Sequence, residues 1–74
     1  MDEELAKAYW NAAFNAVHDM GPYLFEPGGE GRAIELARQA AAALDACEAQ
    51  DARLRAKVEQ LRERLRYHGD RRGA

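Results

Sequence analysis

Few residues in this chain have the types and spacing that covalent chemistry needs. His18 precedes Asp19, and an imidazole beside a carboxylate can serve as a general base. No nucleophile lies close to the pair, serine and threonine are absent from all 74 residues, and the second histidine is the distant His68. The pair therefore reads as a surface histidine near a helix end. Cys47 is the only cysteine, which excludes an intramolecular disulfide. It falls on an apolar helical register, where a free thiol ordinarily acts as a small hydrophobe. The stretch Pro27-Gly28-Gly29-Glu30-Gly31-Arg32 is glycine-rich and opens a helix, and amides at a helix start can hold phosphate. It lacks the preceding strand and the lysine of a phosphate-binding loop, and Glu30 would repel an anion. It reads as a plain turn. No catalytic, metal or cofactor residues are assigned, and the chain is expected not to be an enzyme.

What the residues do carry is surface chemistry, unevenly distributed. Residues 1–51 hold ten acids and three bases, a balance of −7, while residues 52–74 hold eight bases and three acids, a balance of +5, and together they make the net −2. The bases Arg53, Arg55, Lys57, Arg62, Arg64, Arg66, Arg71 and Arg72 are of the type that contacts nucleic-acid phosphates. Glu59, Glu63 and Asp70 interrupt them, and Tyr67 is the one aromatic interleaved. Glu59 and Glu63 sit three or four residues from arginines with which they can pair along a helix. A solvated or protein-facing helix surface is the favoured reading, and nucleic-acid association the competing one. Trp10 and Phe14, one helical turn apart, and Tyr23 and Phe25 are of the residue types that anchor protein interfaces. A role for Trp10 and Phe14 in the core competes with that assignment.

The elements that must position these side chains are helical. In residues 2–20, Leu5, Tyr9, Ala12, Ala13, Ala16 and Met20 recur at spacings of three and four, and Trp10, Phe14 and Val17 line an adjoining face. The resulting stripe is too wide for a helix with a single neighbour. Asp2, Glu3 and Glu4 suit the positive end of the helix dipole. Gly21-Pro22 is expected to end the helix, with glycine in the left-handed cap. Residues 21–31 form the only expected loop, with Tyr23, Leu24 and Phe25 folding back over the core. From Arg32 to His68 neither glycine nor proline occurs, and strong helix formers dominate. Ala33, Ala37, Ala40, Leu44, Cys47, Leu54, Val58, Leu61 and Leu65 fall on one alternating three-four register, the pattern of a coiled-coil seam. The fold class is therefore all-α. The expected form is a helical hairpin with a short first helix and a long second helix, residues 32–68, followed by a frayed tail, 69–74. The competing form is a three-helix bundle with a break near Gln50-Asp51 and Asp51 capping the third helix.

The apolar inventory bears on partners. Leu, Ile, Val and Phe together number 12 of 74 residues, and the 47 % hydrophobic content rests on 16 alanines. Alanine buries little area, and chains of this size usually need a disulfide, a metal or another subunit. Self-association, or docking on a partner, is expected. Helix 1 folding back can cover only about residues 32–50, so its acidic start should arrive near Glu48 to Arg53. Leu54, Val58, Leu61 and Leu65 would then lack a mate within the chain. Arg55, Lys57, Arg62 and Arg64 flank that seam, and four bases meeting their own copies argue against a parallel homodimer. An acidic protein surface would suit them. The acidic start Met1-Asp2-Glu3-Glu4 does not read as a secretory leader, no apolar run approaches a membrane span, and a cytoplasmic location is expected. The favoured function is a small adaptor, assembly factor or protein inhibitor. Bacterial and phage accessory proteins that act on host or defence complexes are often built this way, which is an analogy of architecture.

Overall fold

The computed structural model describes the backbone of residues 2–73 and the side chains of residues 2–67. It contains three helices, α1 (Glu3–Tyr23), α2 (Glu30–Ala46) and α3 (Ala52–Gly73), and no strand among the described residues. The hairpin of α1 and α2 is as expected, but the long second helix is not: the chain leaves helical geometry at residues 47–51, the break of the competing three-helix form. An unbroken helix over residues 32–68 would run about 55 Å, whereas the longest dimension of the molecule is 40 Å. The tail expected to fray, 69–74, lies outside the residues whose side chains are described.

Capping explains the break. Asp51 Oδ1 accepts hydrogen bonds from the amides of Arg53 at 2.7 Å and Leu54 at 3.3 Å, the arrangement of a helix N-cap. The two amides just before α3, Gln50 and Asp51, donate to Glu3 Oε1 at 2.6 and 3.3 Å. The acidic start of α1 thus arrives where the length of the returning helix places it. The end of α2 is closed by arginines from further along the chain. Arg62 Nη2 donates to the Leu44 carbonyl at 3.3 Å, and Arg55 Nη2 donates to the Gln50 carbonyl at 2.7 Å. Each helix end leaves amides or carbonyls that need partners, and here side chains distant in sequence supply several of them.

The α1–α2 connection differs in detail from expectation. α1 continues through Gly21 and Pro22 to Tyr23. Pro22 in the last turn forfeits only one intrahelical hydrogen bond, and the chain exits through Leu24 N to Gly21 O at 3.2 Å and Phe25 N to Pro22 O at 3.3 Å. Gly21 does not take the left-handed cap; the glycine with positive φ, +82°, is Gly28. Gly29 is required for a different reason. A Cβ there would collide with the Tyr23 carbonyl oxygen, so only glycine lets the start of α2 approach the end of α1. Tyr23 and Leu24 pack against the core, and Phe25 is 74 % exposed.

Alanine sets the spacing of the hairpin. Ala6, Ala13, Ala16, Ala33 and Ala40 are buried with Val17, Met20, Leu36 and Leu44. Small side chains on facing helices let the backbones approach closely. α3 covers the open end of the hairpin and adds Leu54, Val58 and Leu61, which with Cys47 complete one continuous core. The seam expected to lack a mate is therefore covered by the chain's own α1 and α2. α1 has two neighbours, as its wide stripe requires, although Leu5 on that stripe is 47 % exposed.

Leu44, 1 % exposed, is one of the largest fully buried side chains. Leu44→Ala should cost about 2–5 kcal/mol, read as a lowered urea midpoint with little change in slope. A pH series tests the cap on α3. The Arg53 and Leu54 amides hold the Asp51 carboxyl below its ordinary value of 3.8. A depressed folded pKa means that its contribution is complete above the ordinary value and lost as pH falls through the folded one. The melting temperature should therefore fall on acidification below about pH 4, and fall less steeply in Asp51→Asn, which caps without titrating. An identical acid limb in both proteins would exclude Asp51 as its source.

Candidate interaction surface

The bases that flank the α3 seam separate into two groups. Arg55 and Arg62 turn toward the chain itself. Besides its bond to the Leu44 carbonyl, Arg62 lies 3.7 Å from Asp45 and 3.6 Å from Glu59, and Arg55 holds the Gln50 carbonyl. Farther along α3, Arg66 pairs with Glu63 at 2.8 Å. Lys57 and Arg64, seven residues apart, occupy the other flank and face α1. Lys57 Nζ stands 5.3 Å from the centroid of the Trp10 ring, within the range of cation–π attraction. Arg64 lines a hollow with Trp10, Phe14, Lys57, Gln60 and Leu61.

A second, larger hollow of about 510 Å³ continues the first toward the start of α3. It is lined by Lys7, Trp10, Asn11, Asp51, Arg53, Leu54 and Lys57. Trp10 and Lys57 line both, so the two hollows adjoin, with Lys57 over Trp10 at their junction, and together they make up the trough between α1 and α3. Its α3 wall is Arg53, Lys57, Gln60 and Arg64, a stripe at helical spacing. Its α1 wall is Lys7, Trp10, Asn11 and Phe14, also at helical spacing. Lys7, Arg53, Lys57 and Arg64 form no salt bridge among the described residues. The one carboxylate in the lining, Asp51, is already engaged as the cap of α3.

The trough's aromatic wall is ordered by its own contacts. Trp10 and Phe14 have ring centroids 5.3 Å apart at an interplanar angle of 22°, and Phe14 and His18 are 6.5 Å apart at 26°. Trp10 is half-buried, and its indole N–H is buried without an acceptor among the described residues. The indole is therefore fixed by ring contacts rather than by a hydrogen bond. Phe14 keeps 37 % of its surface exposed.

The expected interface residues thus fall in four places. Trp10, Phe14, Lys57 and Arg64 come together in the trough. Leu54, Val58 and Leu61 lie beneath it in the core, with Leu65 partly buried alongside. Arg55 and Arg62 serve the break between α2 and α3, and Tyr23 and Phe25 lie at the other end of the hairpin. Sequence reasoning missed Lys7 and Arg53 as members of the group. Lys7 lies three residues before Trp10, and Arg53 four before Lys57, so helical spacing places each beside a recognised member.

The remaining candidates show ordinary environments. His18 Nδ1 lies 3.7 Å from Asp19 Oδ1, both side chains largely exposed. They border a shallow hollow with Pro22, Tyr23, Arg32 and Leu36, and Arg32 there pairs with Glu35 at 3.2 Å. The other histidine, His68, has its side chain outside the described residues. No group of histidine, cysteine and acidic residues that could hold a metal ion occurs among the described residues. Cys47 is buried, and its Sγ donates to the Ala6 carbonyl at 3.3 Å. Burial pushes the thiol pKa up, opposed by a hydrogen bond from the Ala49 amide. No helix of the described residues is long and apolar enough to cross a membrane. Comparisons with protein-family models, curated proteins and solved structures find no match to this chain.

Reactivity depends on the thiolate, so Cys47 should resist alkylation in the folded protein. Iodoacetamide at neutral pH should label it slowly without denaturant and at the rate of a free thiol in urea. Fast labelling of the native chain would mean that the thiol is not packed against Ala6.

Proposed function

We propose that this chain is a small, non-enzymatic protein-interaction module, of the adaptor, assembly-factor or protein-inhibitor kind, working through its helix surfaces. One observation carries the reading. The bases of α3 that face α2 or the break are held within the chain, whereas Lys57 and Arg64, joined by Arg53 and Lys7, line an open trough floored by half-exposed aromatics. Cations that form no salt bridge among the described residues, set around an apolar patch, make a surface that gains by being covered. The aromatic and arginine content of the trough is that of interface anchors.

The reading does not require a second copy. Self-association is expected from the thin apolar inventory and from the unmated seam of Leu54, Val58 and Leu61; the hairpin supplies the mate, and the inventory remains thin. The second reading is nucleic-acid association, supported by the +5 balance of residues 52–74. Against it stands the acidic remainder, −7 over residues 1–51, which repels a polyanion.

Affinity capture separates the two. The tagged chain, incubated with nuclease-treated lysate of its natural host, should retain one defined protein in near-stoichiometric amount. The double variant Lys57→Glu with Arg64→Glu should lose it. Retention of nucleic acid alone in untreated lysate, with mobility shifts that weaken steeply as salt rises, would replace the first reading by the second.

A further inference from the structure

Within the interaction reading, on which this inference rests, the identity of the occupant can be narrowed by the chemistry of the trough. We propose that the trough between α1 and α3 binds an acidic amphipathic helix of another protein, with its apolar side chains against Trp10 and Phe14 and its carboxylates beside Lys7, Arg53, Lys57 and Arg64.

Charge comes first. Four cations border the trough, and none has a salt-bridge partner among the described residues. The single carboxylate there, Asp51, is engaged by the Arg53 and Leu54 amides and lies in the field of Arg53 and Lys7, which leaves Lys57 and Arg64 farthest from any acid in the lining. An occupant bearing carboxylates at matching positions supplies what the chain lacks, and like charge at those positions would be rejected.

Backbone chemistry decides the form of the occupant. Both walls are helices, whose amides and carbonyls are satisfied within each helix along their middle turns. They present no edge to which an extended strand could add hydrogen bonds. A helix arrives with its own backbone bonds complete and needs only side-chain contacts, the helix-in-groove mode. The dimensions agree. From Arg53 to Arg64 the α3 wall runs about 16 Å, roughly three turns of a docked helix.

Ring geometry separates a protein from a nucleic acid. Single-stranded nucleic acids bind by stacking bases on open aromatic faces. Here Phe14 stands between Trp10 and His18 along α1, and Lys57 lies over Trp10. The faces are engaged and the edges remain, which suits aliphatic side chains better than bases. A second copy carries most of its acid on the α1–α2 hairpin, and its α3 carboxylates Glu59 and Glu63 already pair with Arg62 and Arg66. Seating that hairpin in a neighbour's trough joins two different surfaces, an interface that propagates unless its rotation closes a ring.

Trp10 is the only tryptophan and lies in the trough, so its emission reports occupancy. The probe is a synthetic peptide of about 18 residues, five helical turns, built from Leu, Ala and Glu with the leucines on one face. It is compared with the same peptide carrying Lys for Glu, and with single-stranded oligothymidylate. The acidic peptide should shift Trp10 emission saturably, and raising salt should weaken the binding. Lys57→Glu with Arg64→Glu should weaken it at least about tenfold. Arg32→Glu with Arg38→Glu, an equal charge change on exposed α2 surface, should leave it intact. Circular dichroism checks the fold of each variant, and Lys57→Gln with Arg64→Gln gives a milder second test. The proposal is overturned if the acidic peptide leaves emission unchanged, or if the trough variants bind it as the wild type does. It is also overturned if oligothymidylate shifts the emission instead, or if emission shifts with protein concentration alone while sedimentation shows a growing mass. Loss of peptide binding by a chain that still captures a protein partner would remove this assignment and leave the interaction reading standing.

Discussion

Two backbone amides and one carboxylate decide the course of the chain. Gln50 and Asp51 precede α3, and their N–H groups have no partner within that helix. Glu3 Oε1, from the first turn of α1, accepts from both. That contact spans nearly the whole hairpin in sequence and fixes the start of α3 against the start of α1. Leu54, Val58 and Leu61 then fall over the open end of the hairpin, and Lys57 falls over Trp10. Core and trough are two faces of the same placement. The direction that buries the apolar register of α3 also brings one of its basic flanks alongside the aromatics of α1.

Much of this was legible in the residues. Of the three-four register Ala33, Ala37, Ala40, Leu44, Cys47, Leu54, Val58, Leu61 and Leu65, all are buried except Ala37 and Leu65, which are partly buried. The register survives the break because α3 returns its apolar stripe to the same core. The break itself was hard to read. It has no glycine or proline, and its local signal is Asp51 alone, weak beside a long run of helix formers. What stabilises it comes from Glu3, Arg55 and Arg62, and long-range capping leaves no local trace in a sequence. Likewise Gly21-Pro22 suggested a helix end at residue 20, three residues early, because a proline in a final turn forfeits little.

The trough was half legible. Trp10, Phe14, Lys57 and Arg64 carried the right chemistry, but nothing in their order says that α1 and α3 lie side by side. That follows from the break. Favouring an unbroken second helix over the break at Asp51 made Leu54, Val58 and Leu61 look like interface residues, when the chain's own alanine-rich hairpin leaves room to cover them.

The dependence on distant caps has a consequence for timing and affinity. α1 and α2 are neighbours in sequence and meet through a short loop, so their pairing closes little chain entropy. α3 starts on its own cap, Asp51, and Glu3 ties that start to α1, so α3 is joined to the hairpin by contacts distant in sequence, which local opening can release. The trough has one wall on each side of that joint and vanishes when α3 swings away. Whatever fills it must therefore select the docked population, and its apparent affinity scales with the fraction of molecules that are closed. A ligand there would act as a clasp, tightening the joint between α3 and the hairpin by mass action.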